Sequence, residues 1–377
     1  MSNHAFLSAS SCHRWLKCPP SAKLCALEKD EVSEFALQGT DAHTLCEYKV
    51  KKALGEDVKN PTESLSYFDN EMEQMTDEYC YFVLEQIKEA KEYCNDPKIL
   101  IEQRLDYSKW VPDGFGTGDL LIVADKELHI IDFKYGLGVV VDAKENPQMM
   151  CYGLGALDLY DGIYDIETVK MTIFQPRRAN VSTFSISKED LLKWADNVLS
   201  PTAKLAYEGK GEFMAGDHCQ FCKVKATCRE RAEENLKLAK YDFEEPVNLS
   251  DTEIASILPK AEKLVSWAND IKAYALKQAL SGVKYDGYKV VEGRSVRKFT
   301  NEDVVASVVK DAGFDPYEKK MLGITGLTTL LGKKQFNELL GDFIYKAPGK
   351  PTLVPESDKR PEMNTAQTDF NEDKGGQ

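Results

Sequence analysis

Apolar residues between positions 118 and 134 fall into two short runs, Leu120-Leu121-Ile122-Val123-Ala124 and Leu128-His129-Ile130-Ile131, parted by Asp125-Lys126-Glu127. Runs rich in Ile and Val with a polar dipeptide between them predict an antiparallel hairpin that turns at Asp125-Lys126. Asp119 opens the first run and Asp132 closes the second, so a hairpin in that register brings both carboxylates to one end of a sheet. Lys134 follows Asp132 by two residues, and the two-residue period of a strand puts both side chains on one face. Around the hairpin the pattern predicts helices over residues 33–54, 69–93, 146–159 and 191–207. Strands are expected over 98–105 and 168–174, with a Gly-rich bend over 111–118 that delivers Asp119. The fold class is therefore α/β, a mixed sheet flanked by helices.

Toward the N-terminus, serines 8, 10 and 11 can cap a short helix that Pro19-Pro20 stops just after Cys18. Past residue 230 the pattern changes. A boundary is expected at 242–246, and Ser250 with Glu253 reads as a capping box. That box opens a long amphipathic helix to residue 279, with a kink at Pro259. Residues 283–299 alternate like a hairpin, with bends at Gly287 and Gly293 and a basic edge of Arg294, Arg297 and Lys298. Helices are expected over 301–312 and 333–343, and a polar, Pro-containing, disordered tail after them. The resulting division is 1–240, 247–348 and 349–377.

The 377 residues, 42% apolar and 10% aromatic, suffice for one large or two ordinary domains with a true core. No run approaches the roughly 18 to 20 apolar residues of a membrane span, and the N-terminus lacks the pattern of a signal peptide. A cytoplasmic protein without a membrane partner is expected. A net charge of −14 argues against a protein that coats nucleic acid nonspecifically, because that affinity comes from many cationic contacts to phosphate. It is compatible with a groove in which metal ions supply the positive charge.

Two carboxylates beside an ammonium suit Mg²⁺ or Mn²⁺, and the ammonium can steady charge building on a phosphate. Asp and Lys also end strands as ordinary solvated residues. His43 and Glu47 share a helix face, although a lone helical histidine is more often a packing or surface residue. Gln148 and Tyr152 are four apart and share a face; Tyr152 can equally be core. Glu102 is either a site acid on its strand or a surface one, and Arg177-Arg178 either a phosphate contact or a solvated loop. Cys219, Cys222 and Cys228 form C-x2-C-x5-C, dense enough to call for a soft metal centre. Zinc is one assignment, held by four cysteines or by three with His218. Cys25, Cys46, Cys80, Cys94 and Cys151 read as core filler.

Gly118-Asp119, Ile130-Ile131-Asp132-Phe133-Lys134-Tyr135-Gly136 and Gln148-x-x-x-Tyr152, preceded by Gly39-x-x-x-His43, resemble the nuclease domain of the RecB/AddB-type branch of the PD-(D/E)XK superfamily. The motifs cover about residues 8 to 230, and the C-terminal half, through Gly349-Lys350-Pro351-Thr352, resembles an uncharacterised phage and prophage branch. The resemblance implies a restriction-endonuclease-like core and an Mg²⁺- or Mn²⁺-dependent deoxyribonuclease, an exonuclease acting on DNA ends or single strands in phage recombination. It implies that His43, Asp119 and Asp132 hold the metal, with Glu102 close by. Lys134 would activate or orient water, and Gln148 with Tyr152 would order the lysine and the substrate strand. It further implies a [4Fe-4S] cluster on Cys18, Cys219, Cys222 and Cys228. Two other readings stay open: a degenerate nuclease fold that grips DNA or a recombination partner protein, and a zinc scaffold with no nucleic-acid role.

Overall fold

The structure, a computed structural model, describes residues 5–29, 33–237, 250–292, 300–317 and 323–344. Two compact units divide the chain, Met1–Ala275 and Leu276–Gln377.

The first unit is a five-stranded mixed sheet between layers of helices. In chain order its elements are α1 (Cys12–Trp15), α2 (Ser21–Ala26), α3 (Glu34–Ala53), α4 (Asn70–Tyr93), β1 (Lys98–Asp106), β2 (Phe115–Val123), β3 (Lys126–Phe133), α5 (Pro147–Tyr160), β4 (Ile166–Gln175), β5 (Asn180–Ser187), α6 (Lys188–Trp194), α7 (Ser200–Glu208), α8 (Arg229–Leu236) and α9 (Asp251–Leu280), whose last residues, 276–280, fall in the second unit. Strands pair in sequence order, antiparallel except for β3 and β4, which run parallel with α5 as the crossover between them.

The hairpin turns where the pattern places it. Leu120 pairs with Ile131 and Val123 with Leu128, and the Ala124 N–H donates to the Glu127 carbonyl at 3.1 Å. Continued by one residue, this register sets Asp119 opposite Asp132. Side chains alternate between two cores. Leu121, Val123, Leu128 and Ile130 face one that includes Leu154 of α5 and Leu191 of α6. Leu120, Ile122, Ile131 and Phe133 face the other, with Leu45 and Val50 of α3 and Val83 and Ile87 of α4. Burial on both faces explains why the runs are continuously apolar. His129 belongs to this interior: its Nε2 meets Thr172 Oγ1 at 2.8 Å, and burial lowers its pKa to about 3, so it stays neutral.

Helix starts follow their caps. Ser33 accepts from the Ala36 N–H, Asp69 from Met72, and Asn146 from Gln148 and Met149, with Pro147 in the first turn of α5. The bend expected over 111–118 is shorter, because β2 already begins at Phe115. Strand β5 and the helix α2, which starts immediately after Pro20, were not anticipated from the pattern. β5 has exposed alternate positions at the sheet edge, and Pro20 opens a helix as readily as it closes one.

In the second unit, α10 (Glu302–Asp311), α11 (Ile324–Leu331) and α12 (Lys333–Leu340) are helical. Ala306 and Phe336 are buried there. Residues 283–292 of the expected hairpin contain no strand, and its remainder, 293–299, lies outside the described residues. So do the expected boundary at 242–246 and the tail 349–377. Among the described residues no helix is long and apolar enough to cross a membrane.

The double-sided sheet makes a contrast testable. Leu121 has no exposed surface and Leu159, on the last turn of α5, is 46% exposed. Leu121→Ala is expected to cost about 2–5 kcal/mol, and Leu159→Ala less than about 0.5 kcal/mol, measured as shifts of the urea midpoint.

Candidate functional site

Asp119 stands where the regular pairing of β2 with β3 ends. Instead of a backbone partner, the Phe133 N–H of β3 donates to Asp119 Oδ2 at 2.7 Å. The other carboxylate oxygen, Oδ1, lies 3.4 Å from His43 Nδ1 on α3. Phe133 then packs edge-on against the His43 ring, with centroids 5.5 Å apart, and Tyr79 of α4 packs on Phe133. The hairpin end and α3 are thus joined through one acid and one aromatic contact.

Glu102 completes this group. Ile101 pairs with Leu120 and Gln103 with Gly118, so the register puts Glu102 across from Asp119 without a ladder pairing of its own. Its φ of 50° lies in the left-handed region, which costs a non-glycine residue roughly 1–2 kcal/mol. The kink reverses the alternation of β1. Leu100 and Leu105, an odd number of residues apart, meet the same core, and Glu102 is turned in toward the acid and the histidine. Ligand atoms of His43, Glu102 and Asp119 lie within 4.8 Å of one another, and this is the group of that kind among the described residues. All three line a small cavity with Glu47, Cys46, Tyr79 and Phe133. Glu47 escaped the candidate residues of the sequence, although its place one turn from His43 was the available signal.

Asp132 is not in that group. It is buried, and Lys134 Nζ stands 3.0 Å from its Oδ2. Gln148 at the start of α5 joins the two: its Nε2 donates to Asp132 Oδ1 at 3.2 Å and its Oε1 accepts from Lys134 Nζ at 3.4 Å. The same Nε2 reaches the Tyr152 hydroxyl at 3.2 Å. Asp132 Oδ2 still has no partner in hydrogen-bond geometry; the ammonium beside it is near in distance but badly angled. Arg177 is held away from the site, bidentate to Glu71 at 3.0 and 3.1 Å and over the Tyr135 ring. Arg178 is exposed.

Burial and charge set the protonation. Burial pushes the Glu102 carboxyl up to about 7, with Asp119 adding to the effect and His43 opposing it. Burial alone would lower His43, but Asp119 and then Asp132 raise it to about 9. Burial raises Asp132, against the pull of Lys134. Burial works against the Lys134 ammonium, yet Asp132 and Asp119 outweigh it and raise its pKa, so it stays charged near neutrality. Asp119 is lowered despite its burial, chiefly by His43.

The cysteines gather elsewhere in the same unit. Cys18 lies between α1 and α2, and Cys219 and Cys222 in and just after a 3-10 turn (Asp217–Phe221); Cys228 immediately precedes α8. All four line one cavity, together with Arg14, His218, Lys225 and Arg231. Arg14 Nη1 donates to the Ser21 carbonyl and hydroxyl at 2.8 and 2.9 Å. Arg231 donates to Asp270 Oδ2 at 2.6 Å. His218 Nε2 is occupied by the Met214 carbonyl at 2.8 Å.

The profile of a family described as a protein of unknown function (DUF2800) matches residues 4–361. A solved structure described as "Crystal structure of SSO0001" is 13% identical, with 51% of this chain and 98% of that one covered at a TM-score of 0.23. A likeness that weak carries no argument.

Two outcomes follow from the geometry. In metal-free protein the His43 ring is expected to titrate near pH 9 by NMR, and in Asp119→Asn below the ordinary 6.5, because burial then acts with little opposition. The His43–Asp119 contact accordingly stabilises the fold fully below pH 6.5 and loses that effect as pH rises through about 9. Glu102 works in the same window direction for a different reason: its carboxyl is raised from 4.5 to about 7, so stability falls as pH climbs between those values. The second outcome concerns Gly116, where an added Cβ would sit 2.7 Å from the Tyr152 ring. Gly116→Ala is expected to cost about 1–3 kcal/mol by overpacking, read from urea denaturation, because Tyr152 must leave Gln148.

Proposed function

The chain belongs to the DUF2800 family, and we propose that it is a divalent-cation-dependent nuclease of the PD-(D/E)XK type that hydrolyses phosphodiester bonds in DNA. The observation that carries this reading is the meeting of two groups at one end of the β2–β3 hairpin. One is the set His43, Glu102 and Asp119 within 4.8 Å; the other is the chain Asp132, Lys134, Gln148 and Tyr152.

The donor set fits a hard divalent cation, being two carboxylates and an imidazole with a third carboxylate beside them. Asp132 Oδ2 fits as well: buried, with the Lys134 ammonium at 3.0 Å but no well-angled hydrogen bond, it keeps a lone pair that a metal ion could take up. His43, Glu102 and Asp119 would hold the ion, with Asp132 as a further oxygen donor. A bound cation supplies charge against the phosphate and makes water a stronger acid. His43 and Glu102 must give up their protons to bind it, so binding releases protons and strengthens as pH rises.

Lys134 remains an ammonium beside Asp132, so it cannot take a proton from water near neutrality. It donates hydrogen bonds to the attacking water or to a phosphate oxygen, where its charge offsets the charge that develops. Gln148 holds that ammonium from one side and Asp132 from the other, and Tyr152 fixes Gln148 in turn. Phe133 N–H and His43 together leave Asp119 little freedom to rotate.

The four cysteines support a second centre, a [4Fe-4S] cluster on Cys18, Cys219, Cys222 and Cys228. Cys18, Cys219, Cys222 and Cys228 line one cavity, which supports a single shared metal centre. Arg14, Lys225 and Arg231 on the cavity wall suit the negative charge of such a cluster. Its role here is architectural, tying the α1–α2 junction to the segment that follows α7.

Purified protein is expected to degrade linear DNA with Mg²⁺ or Mn²⁺ and to stop when the cation is chelated. Asp132→Ala and Lys134→Ala should each slow cleavage by about 10²-fold or more. Wild-type rates in both variants would overturn the assignment. Protein prepared without oxygen should carry iron rather than zinc by elemental analysis.

A further inference from the structure

Two pairs of cysteines touch. Cys12 on α1 and Cys151 on α5 have sulfurs 3.8 Å apart, and Cys25 on α2 and Cys222 have sulfurs 3.7 Å apart. None of these thiols is in a disulfide. The distances are nearly equal, but the surroundings are not. Cys12 and Cys151 have no exposed surface, whereas Cys25 is 5% and Cys222 9% exposed. Cys222 also lines the cysteine cavity, which Cys25 does not. The second pair is laced in place: the Lys223 N–H donates to Cys25 Sγ at 3.4 Å, and Lys223 Nζ donates to the Glu28 carbonyl at 3.1 Å. The end of α2 and the residue after Cys222 are thus held together from two sides.

We propose that Cys25 and Cys222 are an oxidation site, closing to a disulfide when a peroxide reaches the cysteine cavity of metal-free protein. Cys222, on the cavity wall, passes its thiol proton to the Cys25 sulfur 3.7 Å away and attacks one peroxide oxygen; the O–O bond breaks, a sulfenic acid forms and the departing hydroxide leaves as water after protonation. Cys25 sulfur then attacks the Cys222 sulfur, the S–O bond breaks and the hydroxyl departs as a second water. Two thiols lose two electrons and two protons, and the peroxide is reduced to two waters. Cys12 and Cys151 undergo neither step, because with no exposed surface they are closed to the oxidant.

The consequence rests on the reading of Cys222 as a cluster ligand, although the bond itself does not. A sulfur in a disulfide cannot bind iron, so oxidation locks the cavity in its metal-free form, and a bound cluster shields Cys222 from oxidation. A dithiol would restore the ligand. Cys25 serves as the resolving thiol that stops Cys222 at a reversible stage, since a sulfenic acid without a partner proceeds to the irreversible sulfinic acid.

The experiment treats iron-loaded and metal-free protein with hydrogen peroxide and maps disulfides by mass spectrometry of non-reduced peptides. The expected result is a Cys25–Cys222 peptide from metal-free protein, little of it from iron-loaded protein, and no Cys12–Cys151 peptide from either. Iron uptake by the oxidised wild type should return after dithiothreitol. Cys25→Ser should load iron before oxidation but fail to recover it afterwards. Metal-free wild type without the Cys25–Cys222 peptide, or with Cys12–Cys151 formed as readily, overturns the site, and cross-linking in spite of bound iron overturns the shielding. A chain that cross-links but never takes up iron leaves the oxidation site standing and removes the cluster reading instead.

Discussion

The Asp119 carboxylate ties the end of the β2–β3 hairpin to α3. One of its oxygens replaces a backbone acceptor for the Phe133 N–H, and the other faces His43. A carboxylate used as a sheet acceptor must sit where regular pairing of the hairpin ends, and the register puts Asp132 directly across from it. The same residue therefore finishes the hairpin, fastens α3 to the sheet and sets the spacing of the acids. Removing it leaves a buried N–H without an acceptor, which costs more than the net value of one hydrogen bond.

Such a concentration of buried charge has to be compensated. Asp119 and Asp132 face His43 and Lys134, and burial raises the Glu102 carboxyl to about 7, so that it is only partly ionised near neutral pH. Without a metal the site offsets its charges by holding a proton on His43 and, for part of the time, on Glu102. With a divalent cation those protons become superfluous, and the three ligand atoms already stand within 4.8 Å of one another. The strained φ of Glu102 belongs to the same economy. Strain in the backbone is retained where surrounding structure over-determines it, and here the pairings of Ile101 and Gln103 on either side hold the kink.

What was legible in the sequence depended on range. The hairpin, its turn at Asp125-Lys126 and the common face of Asp132 and Lys134 rest on a two-residue period, and the pattern shows that period directly. The caps at Ser33, Asp69 and Asn146 are equally local. Glu102 could be named as a strand acid, but its inward turn arises from a left-handed residue that no local pattern requires of glutamate. Whether His43 met Asp119 or Asp132 was likewise a matter of how α3 lies on the sheet. Cys25 looked like core filler because its neighbours are apolar, and its partner Cys222 is 197 positions away. The resemblance implies His43, Asp119 and Asp132 as one set with Glu102 close by, whereas the structure brings His43 together with Asp119 and Glu102.

Packing of α1 on α5 runs between the cysteine cavity and the Asp132–Lys134–Gln148 network. Trp15 is fully buried three residues before Cys18, and α1 lies against α5, where Cys12 meets Cys151. Gln148 and Tyr152 stand on that same helix, and Tyr152 fits only because Gly116 leaves room for its ring. A displacement of the α1–α2 junction therefore reaches the Asp132–Lys134–Gln148 network through a close-packed core, which transmits small shifts instead of absorbing them. On the reading proposed above, a cluster at Cys18 contributes by fixing where α5 begins, a few side chains from the lysine.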